Sequence, residues 1–273
     1  MAQKPKTIDE YKSWASANYG HEFDKSCATW YGAATQNLMQ TLQGSFLAEL
    51  QREIEAAGAA YLAEVGSDLF LTPDAPALHW RAKTFDSMID KLYRANVLWN
   101  GQWPKPPAWE EWVEDPGDRS WIGPYDCLKR LDDVIRTRVV CKYIDGPTFL
   151  AARIEELARN SGVGCKVGSR ELDAGYYSHH IYFDIVGDNI GRNFETIKTR
   201  NRIELQVTTQ LQDVLMSLTH RFYERDRLKL SRREKPWRWD YNTAQFKGAY
   251  LGHTLHLLEA IVIEVRDEIG RNE

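Results

Sequence analysis

Two short runs constrain this chain most. Ile181, Phe183 and Ile185 alternate with His180, Tyr182 and Asp184. Ile203, Leu205 and Val207 alternate with Arg202, Glu204 and Gln206. A period of two marks a strand with one apolar and one polar face. A sheet made of such strands leaves one face to water and must cover the other. The sequence around them supplies helices for that cover, so the fold class expected is α+β.

The helices are legible in order. Thr7-Ile8-Asp9-Glu10 is a capping-box pattern ahead of Tyr11 and Trp14, and residues 7–66 read as helical. Leu38, Leu42, Phe46 and Leu50 step by four along one side, with Gly44 and Gly58 as expected breaks. Residues 71–76 are a loop. Residues 99–120 hold Trp99, Trp103, Trp109 and Trp112 among prolines and glycines, which exclude long regular structure. That stretch is either a lid or stacking surface, or a connection stapled by its tryptophans. Val134–Tyr143 is β-branched and reads as a strand, with a turn at Asp145-Gly146-Pro147 and a helix from Phe149 to Ala158. Cys165–Val167 is a short strand. Residues 210–223 read as a helix, and a last helix runs from about Thr243 to Ile269, stopped by Gly270.

Composition excludes several classes. The chain has 273 residues, 43% of them hydrophobic and 27% charged, which fits a globular protein rather than a disordered one. Its net charge of −4 gives no global attraction to nucleic acid, so any site for a polyanion is local. Cys27, Cys127, Cys141 and Cys165 are far apart without a CxxC pair, as expected of free thiols in a reducing cytoplasm. No leader-like apolar segment and no run of membrane-spanning length is present, so no membrane partner is expected.

Candidate chemistry begins between Arg81 and Arg94. Phe85, Met88, Ile89 and Leu92 form the apolar stripe of an amphipathic helix. Lys83, Ser87, Lys91 and Arg94 fall on nearly the opposite side, and Thr84 or Asp86 caps the start. Cations, a hydroxyl and N-terminal N–H groups suit an anionic ligand; the plain alternative is a solvated basic face. Asp133 opens the first strand and Glu204 lies on the polar face of a later one. Two such carboxylates can hold Mg²⁺ while leaving positions to phosphates and water. The run Gly175-Tyr176-Tyr177-Ser178-His179-His180 reads as a glycine-flexed loop offering an aromatic platform for a base, or else as a packed turn. A P-loop, an HExxH zinc motif, a zinc-spaced Cys/His set and a GxSxG elbow are all missing. Gly162–Lys166 is only a fragment of the first, and His253 with His256 reads as packing.

Taken in order, these segments resemble the synthetase domain of the RelA/SpoT-type (p)ppGpp synthetases. Arg81-x-Lys83-x-x-x-Ser87-x-x-x-Lys91 is similar to that family's RxKxxxSxxxK. Asp133-x-x-Arg136-x-Arg138 is similar to its DxxGxR, with Arg136 in place of Gly. Gly175-Tyr176-x-Ser178-x-His180 is similar to its GYxSxH. Glu204-x-Gln206-x-x-Thr209 followed by His220 is similar to its ExQxRT…EH run, with Thr208 for Arg and Thr219 for Glu.

The resemblance implies a mixed β-sheet flanked by helices, the nucleotidyltransferase-like synthetase fold. It divides the chain into an N-terminal helical region over 1–79, a synthetase core over 80–223, and a basic connector with a C-terminal helix packed on the core over 224–273. The implied reaction is transfer of pyrophosphate from ATP to a ribose 3′-hydroxyl. Arg81, Lys83, Ser87, Lys91 and Arg138 would bind ATP, Asp133 and Glu204 would bind Mg²⁺ and act catalytically, and Tyr176, His180, Gln206 and His220 would hold the acceptor. The chain resembles the small synthetases, and its Tyr-Tyr loop and divergent acceptor side look closest to the toxic members of toxin–antitoxin and phage-defence systems, some of which make alarmones while others put pyrophosphate on the 3′ CCA end of tRNA. With the basic cluster between Arg221 and Asp240, the expectation taken is the tRNA one, with an antitoxin protein as a partner. The alternatives are a (p)ppGpp or (p)ppApp synthetase using guanine or adenine nucleotides, and an inactive nucleotide-binding module. From Arg221 to Asp240 eight basic residues face four acids, and Arg232, Arg233 and Lys235 are the candidate tRNA contacts.

Overall fold

The structure is a computed structural model that describes residues 3–41, 46–107, 120–172, 175–218, 238 and 240–270. Eight helices, labelled α1 to α8, are described: α1 (Ile8–Tyr19), α2 (Lys25–Thr41), α3 (Phe46–Val65), α4 (Phe85–Tyr93), the short α5 (Cys127–Arg130), α6 (Gly146–Asn160), α7 (210–218) and α8 (Ala244–Gly270). Five strands, β1 (Arg81–Ala82), β2 (Ile135–Cys141), β3 (Gly164–Leu172), β4 (Tyr176–Ile190) and β5 (Thr196–Thr209), form one mixed sheet in the order β1-β2-β5-β4-β3. The expected α+β class is what is found. Among the described residues no helix is long and apolar enough to cross a membrane.

Contacts divide the chain into two compact units, Met1–Gly44 with Trp80–Arg136 and Asp184–Glu204, and Ser45–His79 with Thr137–Phe183 and Leu205–Glu273. In the first unit, the Thr7 hydroxyl caps α1 by accepting from the Glu10 N–H, and Gly20 ends the helix in the left-handed region at φ 62°. Met88, Ile89 and Leu92 of the stripe read from the sequence are buried on α4, Phe85 at its start is half-buried, and Tyr93 joins them. Tyr93 meets Tyr11 of α1 with ring centroids 5.6 Å apart. Buried Asn96 ties this layer together, donating to the Tyr11 hydroxyl and the Ile122 carbonyl. Trp103 packs against Trp14 and Trp121 at 4.9 and 5.4 Å, so this part of the tryptophan-rich stretch is a staple. Trp109 and Trp112 lie outside the described residues.

In the second unit, α3 packs on α6. The Tyr61 hydroxyl donates to Asp145 at 2.7 Å, and Arg153 pairs with Glu53 at 2.8 Å. Arg266 of α8 reaches the same Asp145 carboxylate at 3.0 Å. Gly175, at φ 75°, lies against α8 so closely that a Cβ on Gly252 would stand 2.2 Å from the Gly175 carbonyl oxygen.

Several expectations are corrected. Leu38 and Leu50 sit on different helices, so the four-step series is not one stripe; Leu42 lies outside the described residues. Gly58 does not break α3; it gives room to Phe70, whose ring would meet a Cβ there at 3.1 Å. Gly146 and Pro147 are the first turn of α6 rather than a turn before it, as a proline that needs no N–H donor permits. Cys165–Val167 is part of the longer β3. The polar faces of β4 and β5 are not open to water: Arg202, Glu204, Gln206 and Thr208 are 6%, 2%, 7% and 1% exposed. Alternation reports which side chains are polar, and here hydrogen-bonding partners take the place of solvent.

Candidate active site

The cations predicted on one helix come from three kinds of backbone. Arg81 lies in β1, paired with Arg136 of β2, so it is not helical. Lys83 precedes the cap, and its N–H donates to the Val134 carbonyl at 2.8 Å. That bond ties it to the segment that carries Asp133. Thr84 is the N-cap; its hydroxyl accepts from the Ser87 N–H and donates to the Ser87 hydroxyl at 2.8 Å. Lys91 is two turns further along α4. The chain therefore brings Lys83 and Lys91 to one point, where Asp133 stands.

The Asp133 Oδ2 lies 3.1 Å from the Lys83 Nζ and 3.5 Å from the Lys91 Nζ. Its Oδ1 is buried and accepts no hydrogen bond. Burial by itself would push the Asp133 carboxyl up, but the ammonium groups of Lys91 and Lys83 outweigh it and hold it below the usual carboxylate range. Lys83 is drawn below the ordinary lysine range by burial, which the attraction of Asp133 only partly offsets. An ionised carboxylate with one oxygen held and the other unanswered is a donor for a hard cation. Among the described residues no three His, Cys, Asp or Glu side chains form a metal cage, yet Mg²⁺ bound through phosphates needs only one or two protein carboxylates.

Glu204 lies in the same unit but is buried, which corrects the expectation of two carboxylates on an open polar face. Beside it in sequence, buried Arg202 pairs with Asp132 at 2.9 Å. Neither Asp132 nor Arg202 was singled out by motif; two adjacent aspartates ahead of β2 were the available signal.

The acceptor candidates fall in the second unit. Tyr176 to His180 are not a loop but the start of β4, coming directly after the turn at Gly175. Tyr176 and His180 are two alternations apart on one face, with the Tyr176 hydroxyl 3.2 Å from the His180 Nε2. On the other face, Tyr177 stacks on His256 with ring centroids 3.6 Å apart, and its hydroxyl lies 2.6 Å from the His253 Nδ1. The expected packing role of those two histidines is thus what is found. Arg138 forms an ion pair with Asp213 of α7 and donates to the Gln206 side chain at 3.3 Å. Asp213 was not anticipated, because its only sequence signal is one helical turn's distance from Thr209. His220, Arg232, Arg233 and Lys235 lie outside the described residues.

Known structures share this arrangement of elements. The chain is similar to small alarmone synthetase 1 from Bacillus subtilis, with a TM-score of 0.50 and 14% identity over 82% of this chain and 91% of that one. It is equally similar to a GTP pyrophosphokinase family protein from Streptococcus pneumoniae, at TM-score 0.50 and 13% identity over 87% and 95% of the two chains. The chain has the fold of the small alarmone synthetases. No family model matches the sequence, and no curated protein matches it.

Proposed function

We propose that the chain is an ATP-dependent pyrophosphokinase. The 3′-hydroxyl oxygen of a ribose attacks the β-phosphorus of ATP, the bond from that phosphorus to the oxygen bridging to the α-phosphorus breaks, and AMP leaves with that oxygen. The observation that carries this reading is Asp133, an ionised carboxylate set between Lys83 and Lys91 with one buried oxygen unanswered. Lys83, Lys91 and the capped start of α4 hold the phosphates, with Ser87 donating and Arg81 beside them. Asp133 and Glu204 are the ligands the chain would offer to Mg²⁺, which when bound neutralises phosphate charge as the bridging bond breaks. Glu204 takes the proton of the attacking hydroxyl. Tyr176 stacks on the acceptor base, His180 and Gln206 position it, and Arg138, steadied by Asp213, faces anionic groups.

For the acceptor, we propose a free guanine or adenine nucleotide. The two similar structures are an alarmone synthetase and a GTP pyrophosphokinase family protein, which supports a nucleotide over tRNA. The tRNA reading, with its toxin role and antitoxin partner, rests on the basic cluster around Arg232, Arg233 and Lys235 and is the second outcome of the same test. The protein is incubated with ATP labelled in the γ-phosphate and with GDP, GTP, ATP or tRNA in turn. AMP release with label on a mononucleotide is the expected result. Label on tRNA alone moves the acceptor to tRNA. No AMP release with any acceptor retires the enzyme reading in favour of a nucleotide-binding module.

A further inference from the structure

Beyond Lys91 the first unit contains a cavity of about 410 Å³ to which the proposed reaction assigns no role. Lys91, Arg130 and Arg202 line it with one carboxylate, Asp132, so its wall carries more positive than negative charge. Its mouth holds Trp99, which is 59% exposed. Most tryptophans bury the greater part of their surface, and an indole left open beside a cationic hollow needs a reason.

The backbone explains how the ring is held there. After α4 the chain runs through one π-helical turn, Arg94–Leu98, closed by the bond from the Trp99 N–H to the Arg94 carbonyl at 2.8 Å. A π turn inserts a residue and rotates the next residues out of α-helical register, a device frequent at functional sites. Lys4 fixes the far side, donating to the carbonyls of Val97 and Asn100 at 2.9 and 3.1 Å. The indole is thus exposed but its backbone is anchored. The Lys91 Nζ lies over the ring at 5.3 Å from its centroid and the Arg94 guanidinium carbon at 5.7 Å, so the ring already works as a platform for cationic groups.

We infer that this cavity is a nucleobase subsite, with Trp99 as its stacking surface. The inference rests on the proposed pyrophosphokinase reading only in placing phosphate at Lys91. That lysine lies between Asp133, at 3.5 Å, and the cavity wall, so a nucleotide with phosphate at Lys91 has its base within reach of Trp99. The buried arginines Arg130 and Arg202 supply donors at the floor: Arg130 is oriented by the Ser120 hydroxyl at 2.9 Å and Arg202 by Asp132 at 2.9 Å. The ligand chemistry is an aromatic base joined to phosphate, and because Tyr176 is proposed for the acceptor base, the base placed here is that of the ATP donor.

Calorimetric titration of the full chain with α,β-methylene ATP, and separately with GDP, tests this without turnover. Trp99→Ala is expected to weaken binding of α,β-methylene ATP by about tenfold, about 1.4 kcal/mol, and to leave that of GDP unchanged. Loss of GDP affinity with α,β-methylene ATP affinity held overturns the inference. Trp99→Phe, which keeps an aromatic face, is expected to restore most of the loss. Unchanged affinity for both ligands overturns the inference. Equal loss of both does so as well, because it marks a structural role for the ring. A protein that binds these nucleotides through Trp99 but releases no AMP with any acceptor would sink the pyrophosphokinase reading and leave the subsite standing.

Discussion

Asp133 is where a contribution to stability and a proposed role in chemistry fall on one side chain. Its folded carboxyl titrates below its unfolded value, because Lys91 and Lys83 outweigh the cost of burial. The stability it contributes is therefore present above the unfolded carboxylate pKa of about 4 and is lost as pH falls below that through the folded pKa. Asp133→Asn is expected to cut AMP-forming turnover about a hundredfold or more, since a charge partner of the transition state is lost. The same change should lower stability by about 1–3 kcal/mol at neutral pH, read as a urea midpoint, because two half-buried ammonium groups lose their carboxylate. An unchanged midpoint would show the lysines finding solvent instead. A variant with ordinary turnover would remove Asp133 from the mechanism. Tyr176 is tested on binding alone: Tyr176→Ala should cost about 1–3 kcal/mol of acceptor affinity with ATP affinity unmoved. If ATP affinity falls and acceptor affinity holds, the start of β4 has been given the wrong ligand. Lys83 with Lys91, and Asp133, were legible because two spaced motifs name them. Asp132, Arg202 and Asp213 were not, because ion pairs such as Arg202–Asp132 and Arg138–Asp213 join residues some 70 positions apart and leave no local pattern.

At the scale of elements, periodicity located the pieces and misjudged their surroundings. The stripe on α4 was readable since apolar residues three and four apart declare a helix face directly. The π turn after it was not, because no residue in Arg94–Leu98 announces an extra position per turn. Alternation found β4 and β5 but took their polar sides for solvated ones. Length was also misread at β4, where a glycine and two tyrosines look like a loop although the strand begins at Tyr176, directly after the turn at Gly175. The approach of α8 to that turn is a matter of two glycines far apart in sequence, which no pattern connects. It gives a sharp prediction. A methyl at position 252 would meet the Gly175 carbonyl oxygen at 2.2 Å and its carbon at 2.8 Å, and backbone cannot step aside as a flexible side chain can. Gly252→Ala should therefore destabilise the protein by about 1–3 kcal/mol despite alanine's better helix propensity, measured by urea unfolding. A variant as stable as the parent would mean that α8 moves away from β4 at no cost.

For the whole molecule, four motifs in order named a fold that pairwise sequence identity of 13–14% does not reveal. A fold is held by the pattern of buried and polar positions, which tolerates many exchanges of one apolar residue for another. A site of the kind proposed, for phosphates and a metal, is less tolerant, because few side chains supply such charges, and so the proposed residues are the part a motif can name. What the motifs do not carry is the acceptor, and here the charge of the whole chain allows a test. At a net charge of −4 the protein has no overall attraction for a polyanion, so tRNA would have to be held by a local run of cations against that average. Each phosphate neutralised releases counterions, and six to ten such contacts lower affinity by about 10³–10⁵ between about 50 and 200 mM salt. A mononucleotide offers only a few phosphates, some of them shared with Mg²⁺. With a guanine or adenine nucleotide as acceptor, kcat/KM should fall by no more than about tenfold over the same salt range. Neutralising Arg232, Arg233 and Lys235 together should leave that value almost unmoved. A fall of about a thousandfold, relieved by the triple substitution, would instead place a nucleic acid on that cluster and make tRNA the acceptor.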